Sequence, residues 1–238
     1  QAGFNPGVRF STVRSTVGLN PPACPSMRGS EDGTVYVSDG SLLSTNLDGN
    51  AFTGVRLYMS NAVTALSFSS LTVKDCSLTI AHTGLVITVT NDIWIRSGAT
   101  LGVVGLDLTC RNLYLTNAGL MYVKGGVTNA GTPDYGALVT ATQDVTIYGS
   151  SWIYSQSDLT NGGSALFRMR NLYALPNAGF NADKGGFGIL YGYGKAGAWG
   201  GGGHGGMGST GAGGAGGIYG SATAPVHAGS SGGDGYYQ

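Results

Sequence analysis

The sequence predicts an all-β chain, a solenoid of short parallel strands followed by a glycine-rich segment. Three observations predict it. A polar residue followed by a short alternating apolar strand recurs five times in the middle of the chain, the interval between copies never falls below 20 residues, and 23 of the 44 glycines lie in the last 54 residues. Charged residues make up 10% of the 238 positions, against about 25% in ordinary soluble domains, so the surface chemistry of helical bundles is missing. Lys+Arg and Asp+Glu are both 12, which leaves no net field to gather nucleic acid, anionic lipid or an acidic substrate from a distance. A hydrophobic fraction of 42% and 13 tyrosines are too rich for disorder.

Residues 1–64 read as an N-terminal arm followed by the first irregular coils. The start, Gln1-Ala2-Gly3-Phe4-Asn5, lacks a basic residue ahead of an apolar run, as expected of a chain whose signal peptide has been removed. No stretch of the sequence approaches the roughly 18 to 20 apolar residues of a membrane-spanning helix. The segment Asn20-Pro21-Pro22-Ala23-Cys24-Pro25 has no strand pattern and needs a tether. With Cys24, Cys76 and Cys110, at most one internal disulfide forms. In an oxidising setting Cys24 is expected to bond Cys76, Cys110 or another chain, although the cysteines alone leave the compartment open.

Residues 65–184 carry the repeat. Its copies are Ser70-Leu71-Thr72-Val73, Asp92-Ile93-Trp94-Ile95, Asn112-Leu113-Tyr114-Leu115, Asp144-Val145-Thr146-Ile147 and Asn171-Leu172-Tyr173-Ala174, whose anchors are separated by 22, 20, 32 and 27 residues. A turn and a second short strand follow several copies. A coil of parallel strands produces such steps, because each turn has a minimum length while loops at one corner lengthen freely. Gly125 to Pro133 and Ser155 to Ser164 are the polar, turn-rich extensions. Alternation places Leu71, Val73, Ile93, Ile95, Leu113, Leu115, Val145 and Ile147 inside, stacked at about 4.7 to 4.9 Å, with Thr72, Trp94, Tyr114, Thr146 and Tyr173 outside. An antiparallel sandwich would show more two-residue Asn-Gly or Asp-Gly hairpin turns.

Residues 185–238 form the glycine-rich segment. Phe187, Ile189, Leu190, Tyr191, Tyr193, Trp199, Ile218 and Tyr219 interrupt it with anchors that a linker does not need. An ordered arrangement of polyglycine or polyproline-II-like strands is expected, packing on the coil or on a neighbouring chain. The run Gly200-Gly201-Gly202-Gly203-His204-Gly205-Gly206, with Tyr219-Gly220, Pro225 and Gly229-Ser230 in that order, resembles the glycine-rich β-helical surface proteins of protists, of the mastigoneme and cell-coat type. The resemblance covers roughly residues 65 to 235. Ser221 departs from it, standing where such proteins carry Asp. The resemblance implies an extracellular, right-handed parallel β-helix with a structural or adhesive role, and no reaction.

The rival reading is a carbohydrate-active β-helical enzyme or polysaccharide-binding module. Glycosidases need two carboxyls about 5 to 9.5 Å apart, and Asp75 with Asp92, one coil apart, is the pair to test. Asp92 and Asp144 share their pre-strand position with Asn112 and Asn171, which points to structural capping instead. Gly203-His204-Gly205 is similar to a polygalacturonase triplet, but the paired Asp motif is missing. The G-x-G-x-x-G match at Gly192 to Gly197 lacks its helix. The G-x-S-x-G match at Gly229 to Gly233 lacks its strand-to-helix elbow. A single Gly232-Gly233-Asp234-Gly235 cannot stack into a calcium-binding array. Neither His82, His204 and His227 nor the cysteines have ligand spacing, so no metal, cofactor or catalytic residue is assigned.

The expected function is therefore that of a non-enzymatic extracellular structural protein, which associates with copies of itself or close relatives into a filament or surface layer. Coil ends and the glycine-rich block would make the contacts. The residues expected to carry them are Trp199, Gly200, Gly201, Gly202, Gly203, His204, Gly205, Gly206, Tyr219, Tyr236 and Tyr237. No Asn-x-Ser/Thr acceptor is present, which leaves O-linked glycans as those the chain can carry.

Overall fold

The computed structural model describes residues 10–11, 33–37, 46–48, 52–131, 133–183, 185–188, 191–204, 206–220 and 227–233. Among them the chain is all-β without a helix, and every strand pairing is parallel. β1 (Phe10–Ser11), β2 (Gly33–Val37), β3 (Asn46–Asp48), β4 (Phe52–Thr53) and β5 (Val55–Met59) open the chain. Three triplets follow: β6 (Ala65–Phe68), β7 (Leu71–Lys74) and β8 (Ser77–Ala81); β9 (Val86–Val89), β10 (Asp92–Arg96) and β11 (Thr100–Val104); β12 (Asp107–Cys110), β13 (Asn112–Leu115) and β14 (Leu120–Lys124). In the last two passes the first two strands fuse, giving β15 (Ala137–Ile147) with β16 (Trp152–Gln156), and β17 (Ala165–Ala174) with β18 (Gly179–Asn181).

Each strand pairs with the strands one pass before and after it, an order compatible with a parallel β-helix. The pass has three strands where the sequence shows two. β6, β9 and β12 make one face with the first half of β15, while β3, β7, β10 and β13 make a second with its other half. β15 thereby joins both into one nine-stranded sheet. The third face is the seven-stranded sheet from β2 through β5, β8, β11, β14 and β16 to β18. Because β2, β3 and β5 belong to these sheets, the stack begins ahead of residue 65.

The sequence anchors stack as predicted, with Leu71 opposite Ile93, Ile93 opposite Leu113, Leu113 opposite Val145 and Val145 opposite Leu172. A period-two strand has one inward set of side chains, and a one-residue slip would expose all of them, so burial fixes the register. All eight predicted core residues of this face are buried, and Leu78, Ile80, Leu101, Val103, Met121, Val123 and Ile153 supply the core from the third face. Leu66, Ile87, Leu108 and Val139 supply it from the first. Outside, Trp94 stacks on Tyr114 with ring centroids 4.2 Å apart, and Tyr122 on Tyr154 at 4.7 Å.

The corners differ in chemistry. Between the second and third faces the chain turns through a left-handed residue on each pass from β7 onward: Asp75, Ser97, Asn117, Ser150 and Asn177 have φ of 50°, 57°, 49°, 65° and 60°. Short polar side chains tolerate this region best among non-glycine residues. Between the first and second faces the backbone ladder continues through the bend, with Arg111 N donating to Asn91 O (2.8 Å) and Gln143 N to Arg111 O (2.9 Å). The third corner holds both extensions. Their stems close where Gly126 N donates to Gly136 O (2.8 Å) and Gly136 N to Ser164 O (2.7 Å). A Cβ at Gly163 would strike the Gly126 carbonyl, so this close approach requires glycine.

Two substitutions measure the core. Leu113→Ala removes a side chain with no exposed surface and is expected to cost about 2 to 5 kcal/mol in denaturant unfolding. Ser151→Ala removes a buried hydroxyl that has no hydrogen-bond partner and is expected to stabilise the protein by about 1 kcal/mol in the same experiment.

Candidate functional site

The glycine-rich segment packs on itself through its backbone. Gly201 N donates to Ser209 O (2.9 Å), Gly216 N to Gly201 O (3.0 Å), Gly203 N to Gly194 O (2.8 Å), Gly213 N to Ala198 O (2.9 Å) and Gly233 N to Gly200 O (2.8 Å). With no side chains between them, stretches of backbone remote in sequence approach closely. A Cβ at Gly203 would meet the carbonyls of Gly216 and Gly217. Ser230 and Ser231 add side-chain bonds, Ser230 Oγ accepting from Gly194 N (2.8 Å) and Ser231 Oγ from Tyr191 N (3.1 Å).

Aromatic rings pin this layer. Tyr193 meets Phe187, Tyr219 and His227 at centroid distances of 5.8, 5.7 and 5.7 Å, and His204 lies edge-on to Tyr219 at 4.8 Å. His204 Nε2 is 3.0 Å from the His227 carbonyl. A carbonyl only accepts, so His204 carries its proton on Nε2. The Tyr219 hydroxyl donates to the Ala228 carbonyl.

Of the residues expected to make contacts, Gly200 and Gly203 are buried within this layer, Gly201, Gly202, His204 and Tyr219 are half-buried, and Trp199 and Gly206 are exposed. Tyr191, Tyr193, Met207 and Ile218 are also exposed. Gly205, Tyr236 and Tyr237 lie outside the described residues, as do Ile189, Leu190, Ser221, Pro225 and Cys24 with its expected disulfide. Cys76 and Cys110 are both buried, and Cys110 is a free thiol. Burial, reinforced by the Asp92 carboxylate, pushes the Cys110 thiol up to about 12 from an ordinary 9.0.

The pre-strand carboxylates Asp92 and Asp144 are engaged in structure. Asn112 Nδ2 donates to Asp92 Oδ1 (2.7 Å), Asn112 Oδ1 accepts from Asp144 N (3.2 Å), and Asn171 Nδ2 donates to Asp144 Oδ1 (2.7 Å). The repeated pre-strand residue therefore forms an Asp–Asn ladder up the second face. Asp75 pairs with Lys74 at 3.1 Å. Since Arg96 lies opposite Lys74, Asp75 is level with Ser97, five residues of strand from Asp92 or about 16 Å. That is too far for the paired carboxyls of a glycosidase. Burial would raise Asp158, but hydrogen bonds from the Asn161 and Thr160 amides and the Thr160 hydroxyl outweigh it, and its carboxyl is held below the usual range. No group of three or more His, Cys, Asp or Glu able to hold a metal ion occurs among the described residues.

Two surfaces stand apart. One is the last pass, where β17 pairs only with β15 among the described strands. Its second half is bare: Leu172 and Tyr173 are 47% and 52% exposed, and Leu175 just beyond is 40% exposed. The other is a cleft of about 370 Å³ between the last passes and the glycine layer, lined by Asp134, Tyr135, Ser157, Ser164 and His227 among others. Asp134 and His227 are 93 residues apart, and no local spacing marks them.

Gly203→Val is expected to open the glycine layer, giving protease cleavage after residue 185 while residues 65–180 stay protected in hydrogen exchange. Cys110 is expected to resist iodoacetamide in the native protein at pH 8.5 and to react fully in denaturant. Its raised folded value favours folding below the unfolded value of 9.0, and this contribution is lost as pH climbs from 9 toward 12. Stability of Cys110→Ala is therefore expected to fall less steeply across that window.

Comparison with family models, curated proteins and solved structures gives no match for this chain.

Proposed function

We propose that this chain is an extracellular structural protein, without enzymatic activity, that assembles with copies of itself or close relatives into a filament or surface layer. The bare second half of β17 carries this reading. Leu172 continues the column of Leu71, Ile93, Leu113 and Val145, all buried, yet is itself 47% exposed. A parallel stack ends in unpaired backbone groups that a protein must cap or pair. Here the glycine layer closes a cleft over Ala165 and Leu166 at the start of β17 and leaves the stretch from Arg170 onward exposed.

A further copy stacked on this end would extend the hydrophobic column and the Asp–Asn ladder beyond Asn171. Zero net charge removes long-range repulsion between copies. Exposed Trp199, Tyr193 and Ile218 offer side contacts from the glycine layer. In this reading the passes wind as a right-handed parallel β-helix, the sense that nearly all strand–crossover–strand connections take. The glycine strands adopt polyglycine or polyproline-II-like conformations. Location at the cell surface follows the sequence resemblance, and O-linked glycans are the compatible decoration.

Sedimentation velocity and electron microscopy test the proposal. The native protein is expected to form large assemblies, and Leu172→Glu with Tyr173→Glu to leave monomers with an unchanged melting temperature, since both side chains are already exposed. A strictly monomeric native protein at high concentration, or assemblies indifferent to the double variant, would overturn it.

A further inference from the structure

The cleft beneath the glycine layer has features that neither the stack nor the layer requires. Its walls come from the extension after β14, from the β16–β17 corner and from His227, three parts of the chain remote in sequence. Asp134 Oδ1 and His227 Nδ1 are buried there without a hydrogen-bond partner. Leaving such atoms unpaired destabilises a fold, and a structure that keeps two of them beside one cavity has an uncompensated demand for polar contact at that place. Apart from Asp134, the described lining carries no acidic or basic side chain other than His227, and it mixes polar groups with Ala165, Leu166 and Ala228. Ser157 Oγ and Ser164 Oγ lie 3.2 Å apart, each able to donate or accept. His227 is held edge-on between Tyr193 and Tyr219, which restricts its ring.

We infer that this cleft binds a neutral saccharide. The inference does not rest on self-assembly. A hydroxyl group both donates and accepts, so it satisfies the Asp134 carboxylate and either tautomer of His227, and it exchanges bonds with the serine pair. An anionic ligand would face the Asp134 carboxylate with no Lys or Arg among the described lining residues to offset it. The volume of about 370 Å³ falls in the range of small-molecule sites, about 300 to 1,000 Å³. At Ser155 and Gly185 the cleft adjoins a second one of about 240 Å³, flanked by the stacked Tyr122 and Tyr154 with Gln156 and Asn181, where Lys124 and Asp183 supply one charge of each sign. An oligosaccharide can therefore continue from the polar cleft along an aromatic surface, and affinity should rise with chain length.

The test uses unglycosylated full-length protein with ¹⁵N-labelled histidine, titrated with cellotetraose, mannotetraose, laminaritetraose and chitotetraose. Tetragalacturonate and chitosan tetramer serve as the anionic and cationic arms. At least one neutral tetrasaccharide is expected to shift the His227 imidazole signals saturably and to bind more tightly than its disaccharide. Asp134→Asn and His227→Phe are each expected to weaken that binding by about tenfold or more, and Asp75→Asn to leave it unchanged. Melting curves establish that Asp134→Asn is folded, which keeps the test decisive if His227→Phe is not. The inference is overturned if no neutral tetrasaccharide moves the His227 signals, if only the charged oligomers bind, or if folded Asp134→Asn binds as the native protein does. Assemblies that persist in the absence of sugar binding would leave the structural reading standing while this one fails.

Discussion

The structure depends on the in-register parallel ladder between successive passes. Each strand can meet its backbone donors and acceptors only through the pass before and the pass after, so a displacement anywhere would be inherited by every later pass. Burial prevents this. Ile93 and Ile95 stack on Leu71 and Val73 below and on Leu113 and Leu115 above, and a shift of one residue would move the whole column to solvent. The left-handed corners at Asp75, Ser97 and Asn117, the Asp–Asn ladder and the outer aromatic pairs all repeat because the register repeats.

The same constraint explains where the chain tolerates irregularity. From β6 onward, the long extensions among the described residues occur at the corner between the third face and the next pass, where glycine backbones carry the ladder across the loop stems. β15 shifts register between Ala141 and Asp144, yet anchors on both sides of the shift remain paired with β17. An extra residue is accommodated as a bulge when the strands beyond it are held by their own core contacts.

Much of this was legible in the sequence, and the limits have physical causes. Alternation revealed the second face because its strands are preceded by Asp, Asn or Ser. The first face leaves no separate signal because its corner with the second needs neither glycine nor a left-handed residue. Only Arg111 separates β12 from β13, and β15 and β17 run through the bend unbroken, so two strands read as one. The composition of the glycine segment announced an ordered block, but glycine has no side chain whose alternation could distinguish buried Gly203 from exposed Gly206. The cleft was invisible for a different reason. Asp134 sits in an irregular extension and His227 in the final stretch, and only the closure of the glycine layer over the last passes brings them to one cavity.

The direction of the ladder has a mechanical consequence. Hydrogen bonds between passes run along the stacking direction, so a pull in that direction loads every bond of one inter-pass junction together, while the junctions themselves are loaded in series. Such an element resists until one junction gives way as a unit. Junctions between long strands, such as the nine paired positions of β15 and β17, share the load widely. The third face has three paired positions between β16 and β18, but that junction is shared with the long β15–β17 ladder, whereas β3–β7 and β5–β8 join two early passes through three paired positions each. Among the described strands, tearing under tension would therefore begin at this N-terminal junction and not at the last pass.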